Sequence, residues 1–227
     1  AFYGRGETHD RECKYREVVS RGIHWLVKQQ EEAGEYGDLR GINPRGDMYD
    51  HGIASLAMVE AYGVTKKGYE VAQDADGVSE DADGVSEDDN WLKKRARAAV
   101  QFIEEAQHEE GGWRYKPGQK GDLSVSGWMI MALASARWSG LAVKDKTMAG
   151  ARRFLTEISS GKDGGAFGYT NKVGAGGHTP AMNAVGFFCN QLLGLSSSSA
   201  LAWEASSLVD KKGVDINDLY YAYYGTL

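Results

Sequence analysis

One spacing recurs along this chain and limits what it can fold into. Trp25-Leu26, Gln30, Gly34 and Tyr36 are repeated at identical spacing by Phe102-Ile103, Gln107, Gly111 and Trp113. A third copy, Phe154-Leu155, Ser159, Gly165 and Phe167, keeps the frame with a turn two residues longer. Each copy is followed by a second block whose glycine stands at one fixed offset from its start: Asp47-Met48 with Gly52, Asp122-Leu123 with Gly127, and Ala181-Met182 with Gly186, while Asp218-Leu219 opens a fourth. A unit of this size cannot bury an apolar face alone, so neighbouring copies must stack.

The two blocks distribute their apolar residues differently. Ala96, Ala99, Val100, Ile103 and Ala106 recur at three- and four-residue steps among Lys93, Lys94, Arg95, Arg97, Glu104 and Glu105, which is a helix with one buried stripe and one wet face. Gly127 to Leu133 and Gly186 to Leu193 are apolar nearly all round and belong inside. Outer helices are expected near 15–32, 90–109, 146–160 and 199–210, and inner helices near 48–63, 122–140, 180–194 and from 218 onward. The expected fold is all-α, an array of αα-hairpins in one domain over 1–227, with hairpins near 15–63, 90–140, 146–194 and 199–227. The last inner helix stops after about two and a half turns. The chain is therefore expected to be cut short at its C-terminal end and to expose Tyr220, Tyr221, Tyr223, Tyr224 and Leu227 to a second copy or another protein chain.

The blocks Gly22-x-x-Trp25-Leu26-x-x-x-Gln30 through Tyr36 and Ala99-x-x-Phe102-Ile103-x-x-x-Gln107 through Trp113 resemble the repeats of squalene-hopene cyclases and the related prenyltransferase repeats. Met48 to Ala54, Gly112-Trp-Arg-Tyr115, Gly121 to Trp128 and Thr179 to Gly186 are similar to the squalene-cyclase-like repeat proteins of planctomycete-type bacteria. The resemblance implies a bacterial protein with a partial α/α toroid. It leaves the reaction open, because that fold also hosts prenyltransferases, thioester domains and polysaccharide lyases.

In the resembled cyclases an Asp-x-Asp-Asp-Thr motif supplies the acid that protonates the substrate. The matching segment here is Gln119-Lys120-Gly121-Asp122-Leu123, and the position of the proton donor is Gly121, which has no proton to give. The chain holds neither the Asp-x-Cys of the zinc prenyltransferases nor the Gly-Cys-Gly-Glu-Gln of the thioester family. The leading expectation is a module that binds a partner protein or an extended apolar, lipid-like ligand without cyclising it. Two alternatives stand beside it: an enzyme on a terpenoid or prenyl lipid whose site is completed by residues beyond 227, and a glycan-binding or glycan-cleaving toroid.

The catalytic candidates are Asp50, His51 and Asp122. A carboxylate beside an imidazole tunes its pKa, although neighbours on a helix point about 100° apart. Asp47 and Asp122 also suit helix N-caps, where a short acceptor meets free backbone N–H groups. Asp47, Trp128, Tyr221 and Tyr224 are the ligand-binding candidates, the aromatic residues as lining for an apolar cavity. The resemblance implies that the Gln30 and Gln107 side chains tie one helix end to its neighbour under the aromatic ring.

Composition excludes several classes. A net charge of −6 and the lack of a dense basic patch argue against nucleic acid as a partner. The longest nearly apolar stretch, Val125 to Leu141, is broken by Ser126, Ser135, Arg137 and Ser139, so no transmembrane segment is expected. Cys13 and Cys189 form no metal-type spacing.

Between Glu70 and Asp89 lie nine carboxylates without a Lys or Arg, including the tandem heptad Ala75 to Asp81 and Ala82 to Asp88. The stretch reads as a loop inserted at 70–90. It resembles the Asp-x-Asp-Gly calcium repeats of extracellular proteins, with Asp74, Asp76, Asp81, Asp83 and Asp88 as oxygen ligands, and an exported or cell-envelope location is the matching expectation. Deleting Ala82 to Asp88 should leave the melting temperature within about 2 °C. Millimolar CaCl₂ should raise it in the parent and not in the deletion variant, as calorimetry in both backgrounds would read.

Overall fold

The computed structural model describes residues 6–10, 12–33, 36–41, 46–65, 87–174, 177–213 and 215–227, with the side chains of 87–90 outside that description. Among the described residues it is all-α apart from one two-stranded hairpin. The helices are α1 (Arg16–Glu32), α2 (Met48–Gly63), α3 (Glu87–Ala106), α4 (Leu123–Trp138), α5 (Asp145–Ile158), α6 (Pro180–Leu192), α7 (Ala200–Lys212) and α8 (Leu219–Gly225). Strands β1 (Ser159–Ser160) and β2 (Ala166–Phe167) pair antiparallel, Ser159 opposite Phe167. The chain divides into two compact units, Ala1–Glu105 with Ala132–Lys144, and Ala106–Met131 with Asp145–Leu227.

Local chemistry sets where the helices start and stop. Asp47 caps α2 by accepting from Tyr49 N at 2.8 Å, and the Asp50 carboxylate reaches back to Asp47 N at 3.1 Å, completing a capping box. Asp122 accepts from Val125 N, Thr179 from Met182 N, Ser199 from Ala202 N and Asp218 from Tyr221 N, so four more helices begin on a side-chain acceptor. Gly140 and Gly194 end α4 and α6 at φ 73° and 88°. There Leu141 N bonds Ala136 O and Leu195 N bonds Asn190 O, which closes the last turn and uses carbonyls the helix leaves free.

Burial follows the periodicity. Helix α1 buries Val19, Ile23 and Gln30 along one side, whereas α2 buries His51, Gly52, Ala54, Ser55, Leu56, Met58, Val59, Ala61 and Tyr62 around nearly its whole circumference.

Two features recur and both involve buried backbone polar groups. The first is a tie from a glutamine. In the first unit Gln30 Nε2 donates to Gly37 O at 3.3 Å and to Arg95 O on α3 at 3.2 Å. In the second unit Gln107 Nε2 donates to Gly111 O at 2.8 Å and to Thr147 O on α5 at 2.9 Å. Beside each tie a positive-φ glycine presses on the same neighbouring helix. A Cβ on Gly37 would fall on the carbonyl of Ala98, and one on Gly111 on the carbonyl of Gly150. The turn from glutamine to glycine spans seven residues in the first instance and four in the second. This difference displaces Tyr36 from the register that sequence spacing assigns it. Tyr36 is 61% exposed, and Leu39, two residues after Gly37, takes the buried place that Trp113 holds after Gly111.

The second feature is a buried acceptor four residues after a helix cap. Leu39 N donates to His51 Nδ1 at 3.0 Å, Trp113 N to Ser126 Oγ at 2.9 Å and Phe167 N to Asn183 Oδ1 at 3.0 Å. The caps of those helices are Asp47, Asp122 and Thr179, so the third helix is capped two residues before the Ala181 position expected from spacing. Each acceptor lets the turn preceding its helix bury a large apolar side chain without leaving its N–H unpaired.

The third turn lacks the glutamine. Its place is Ser159, whose hydroxyl stays local and donates to Gly164 O. Glu204 on α7 supplies the tie from the opposite direction, accepting Lys162 N, Asp163 N and Gly165 N, each at 2.8 Å.

Two glycines separate the cost of positive φ from the cost of close approach. Gly111 and Gly118 both have positive φ, but only Gly111 meets a neighbouring backbone, and a Cβ on Gly118 meets nothing within 4 Å. Gly118→Ala should cost about 1 kcal/mol and Gly111→Ala at least about 3 kcal/mol in urea unfolding.

Candidate functional site

The residues singled out from sequence fall into different surroundings. Asp47 and Asp50 are bound to each other in the α2 capping box. His51 turns away from Asp50 into the interior of the first unit and is fully buried. Its Nδ1 accepts from Leu39 N, so the proton sits on Nε2, which faces Ala99 O at 3.2 Å and Ser55 Oγ at 3.1 Å. The Phe102 ring packs against it at 4.6 Å. The carboxylate nearest His51 is Asp38, 4.0 Å from Nδ1, rather than Asp50. Burial pushes the imidazole down to about 4, outweighing the Ala99 carbonyl and Asp38, which pull it up. Asp38 in turn is held below its ordinary range. Burial alone would raise it, but Arg40 grips both its oxygens at 2.8–3.1 Å and wins. His51 is a neutral brace, and the Asp50–His51 pair does not form.

Asp122, in the second unit, is fully buried at the head of α4. Its Oδ1 accepts from Ser124 Oγ at 3.0 Å and Val125 N at 2.9 Å, and its Oδ2 faces Arg114 Nε at 3.4 Å. The Tyr169 hydroxyl lies 3.5 Å from Ser124 Oγ and 3.0 Å from the Tyr115 hydroxyl. Burial above all lifts the Tyr169 phenol above its ordinary range, with Tyr115 and the Asp122 carboxylate adding to it. A cluster of an aspartate, an arginine, a serine and two tyrosines therefore surrounds the start of α4, and Asp122 acts in it as an acceptor. Position 121 is closed to any acid, since a Cβ there would come within 2.6 Å of Gly112 Cα and 2.9 Å of Trp113 N.

Beyond this cluster, α4, α6 and α8 gather aromatic rings. Trp128 stacks on Tyr223 at 5.6 Å, Tyr224 meets Trp128 at 6.0 Å, Phe188 at 6.2 Å and Tyr220 at 5.1 Å, and Tyr220 reaches Ser124 O at 3.5 Å. Gly127 makes room for this packing, for a Cβ there would touch Val185 Cγ1 at 2.9 Å and the Tyr224 hydroxyl at 3.4 Å. The expected exposure of the last helix holds for Tyr223 and Leu227 and fails for Tyr221 and Tyr224, both buried. Tyr221 is no part of the aromatic group. Its hydroxyl lies 2.9 Å from Gly213 O and 3.2 Å from Val209 O, where it closes the end of α7. Trp128, Phe188, Tyr220 and Tyr223 are left partly exposed, with Tyr224 beneath them as the floor of an aromatic ledge.

The calcium ligands expected at Asp74, Asp76, Asp81 and Asp83 lie outside the described residues, and the backbone of Asp88 lies in α3 while its side chain is outside the description. Among the described residues no group of three His, Cys, Asp or Glu is placed to hold a metal ion. None of their helices is long and apolar enough to cross a membrane. No family model matches the chain, and no curated protein or solved structure matches it either.

Sequence reasoning did not find the Asp38–Arg40 pair, the Arg114–Tyr169 surroundings of Asp122, or the Glu204 tie. One signal was available for the buried acceptors: His51, Ser126 and Asn183 each stand as a polar residue one turn into a largely apolar helix.

His51 gives a pH signature with a definite sign. Its folded pKa lies below its unfolded value, so the unfolded chain takes up the proton first and stability is lost as pH falls from about 6.5 toward 4. Denaturant titrations should show a loss of up to roughly 3 kcal/mol over that window. His51→Asn, which places the Asn183 solution at this position, should remove most of that slope while keeping the bond to Leu39 N. An unchanged slope in His51→Asn would assign the acid sensitivity to other groups.

Proposed function

We propose that the chain is a terpenoid-cyclase-like helical repeat module, a partial α/α toroid built of αα-hairpins, that binds an extended apolar ligand on its aromatic ledge without cyclising it. The recurring glutamine tie and the recurring buried acceptor support the repeat, because chemically equivalent positions solve the same hydrogen-bonding problem in successive copies. The observation that carries the function is the ledge itself. Four partly exposed rings drawn from three helices lie over a fifth, and such a surface gains most from a flexible hydrocarbon chain laid along it.

The chemistry at the head of α4 supports binding over cyclisation. Protonating an alkene calls for an acid with a free proton facing the cavity. Asp122 has Oδ1 committed to two donors, its buried Oδ2 makes no hydrogen bond but has the Arg114 guanidinium 3.4 Å away to favour the ionised form, and the backbone around Gly121 leaves no space for a second carboxyl. A second reading, docking onto another copy or another chain, draws on the exposed Ile216, Leu219 and Leu227 around α8.

Farnesol or geranylgeraniol delivered in cyclodextrin should quench tryptophan fluorescence saturably. Trp128→Ala and Tyr223→Ala should each weaken binding at least tenfold, and gas chromatography should show the ligand returned unchanged. Cyclised product that disappears in Asp122→Asn would replace this reading with the enzyme. Absence of saturable binding, with dimers seen by light scattering, would favour docking.

A further inference from the structure

The first unit carries an open groove of about 500 Å³ between α1 and α2, lined by Trp25 and Gln29 on one side, by Asp50, Ile53 and Ala57 on the other, and by Arg40 from the turn before α2. We propose that this groove binds a monovalent organic ammonium ion, an alkyl- or arylalkylammonium, with its carbon body against Trp25, Ile53 and Ala57 and its charge at Asp50. The ledge in the second unit plays no part in this site.

Helix register builds the walls. Asp50, Ile53, Ala54 and Ala57 stand at i, i+3, i+4 and i+7 and so form one face of α2, while Trp25 and Gln29 stand one turn apart on α1. The face is mostly carbon, with a single carboxylate at its head. The volume lies within the range of small-molecule sites, roughly 300–1,000 Å³. Trp25 is 59% exposed and offers an indole surface, the preferred aromatic partner of an organic cation.

Charge accounting selects the ligand's sign. The cation in the wall, Arg40, is already neutralised, since its guanidinium binds both oxygens of Asp38 and lies 5.1 Å over the Phe102 ring. Lys28, one turn from Trp25 on α1, is 3.6 Å from Glu32. Asp50 spends one oxygen on Asp47 N and has no ion-pair partner among the described residues. A carboxylate beside an apolar pocket, with no ion-pair partner among the described residues, attracts an ammonium group, tolerates a neutral one and repels an anion.

The test is a matched series in isothermal titration calorimetry: 4-phenylbutylammonium, 4-phenylbutanol and 4-phenylbutyrate, alike in carbon body and different in charge. The ammonium should bind at least tenfold more tightly than the alcohol, and the carboxylate should give no heat of binding. Asp50→Asn keeps an oxygen for Asp47 N and, with an unchanged melting curve, should bring the ammonium down to the affinity of the alcohol. Trp25→Ala should weaken both, and Trp128→Ala neither, which keeps this outcome separate from that of the ledge. Equal affinity for all three probes, no ammonium binding at millimolar concentration, or an unaltered ammonium affinity in Asp50→Asn would overturn the proposal.

Discussion

A large side chain in a tight turn can be buried only if its backbone N–H finds an acceptor, and this requirement organises the structure more than any other. Leu39, Trp113 and Phe167 would each strand an N–H in an apolar interior, at a cost of about 1–3 kcal/mol. His51, Ser126 and Asn183 remove that cost from the helix that follows. The three side chains differ in size and chemistry but present the same thing, one acceptor atom a turn inside the helix. The hydroxyl of Ser126 goes further and also donates to Trp113 O at 3.1 Å, so both main-chain polar groups of that residue meet one side chain. Histidine at the first of these positions brings a sensitivity to acid that serine and asparagine do not.

The same economy explains why polar residues that look chemical from sequence turn out to be architectural. Asp47, Asp50, Asp122 and Asp218 stand at helix starts, and each has one oxygen engaged with a backbone N–H group. Asp122 has gone furthest in that direction, because a buried carboxylate needs a counter-charge and Arg114 supplies it. What remains available for a ligand is mostly aromatic and aliphatic surface, with Asp50 and Asp218 exposed at their helix starts.

Helices and their all-α assembly were legible because their signals are local: periodicity separates one-sided α1 from all-round α2, and short acceptors mark the starts. The turns were not legible to the same degree. Spacing equates Tyr36 with Trp113, yet the first turn carries three more residues between its glutamine and its glycine, and Leu39 inherits the buried position. A period counted along the sequence cannot see an insertion that the backbone absorbs in a loop. Side-chain pairing across distance was harder still. Asp50 sits beside His51 in the chain, but the helix rotates them apart and brings Asp38 from the preceding turn to the ring. The Glu204 tie, which replaces a lost glutamine from a helix some forty residues away, follows no spacing rule at all.

The glutamine ties have one more property. Both Gln30 and Gln107 grip main-chain carbonyls on the adjoining helix, at Arg95 and Thr147, and never a side chain there. The receiving helix can therefore change residue at that point without loosening the joint, as the pairing of an arginine in one case with a threonine in the other already illustrates. The second joint asks instead for a missing side chain one turn on, since a Cβ on Gly150 would come within 2.8 Å of Gln107 Nε2.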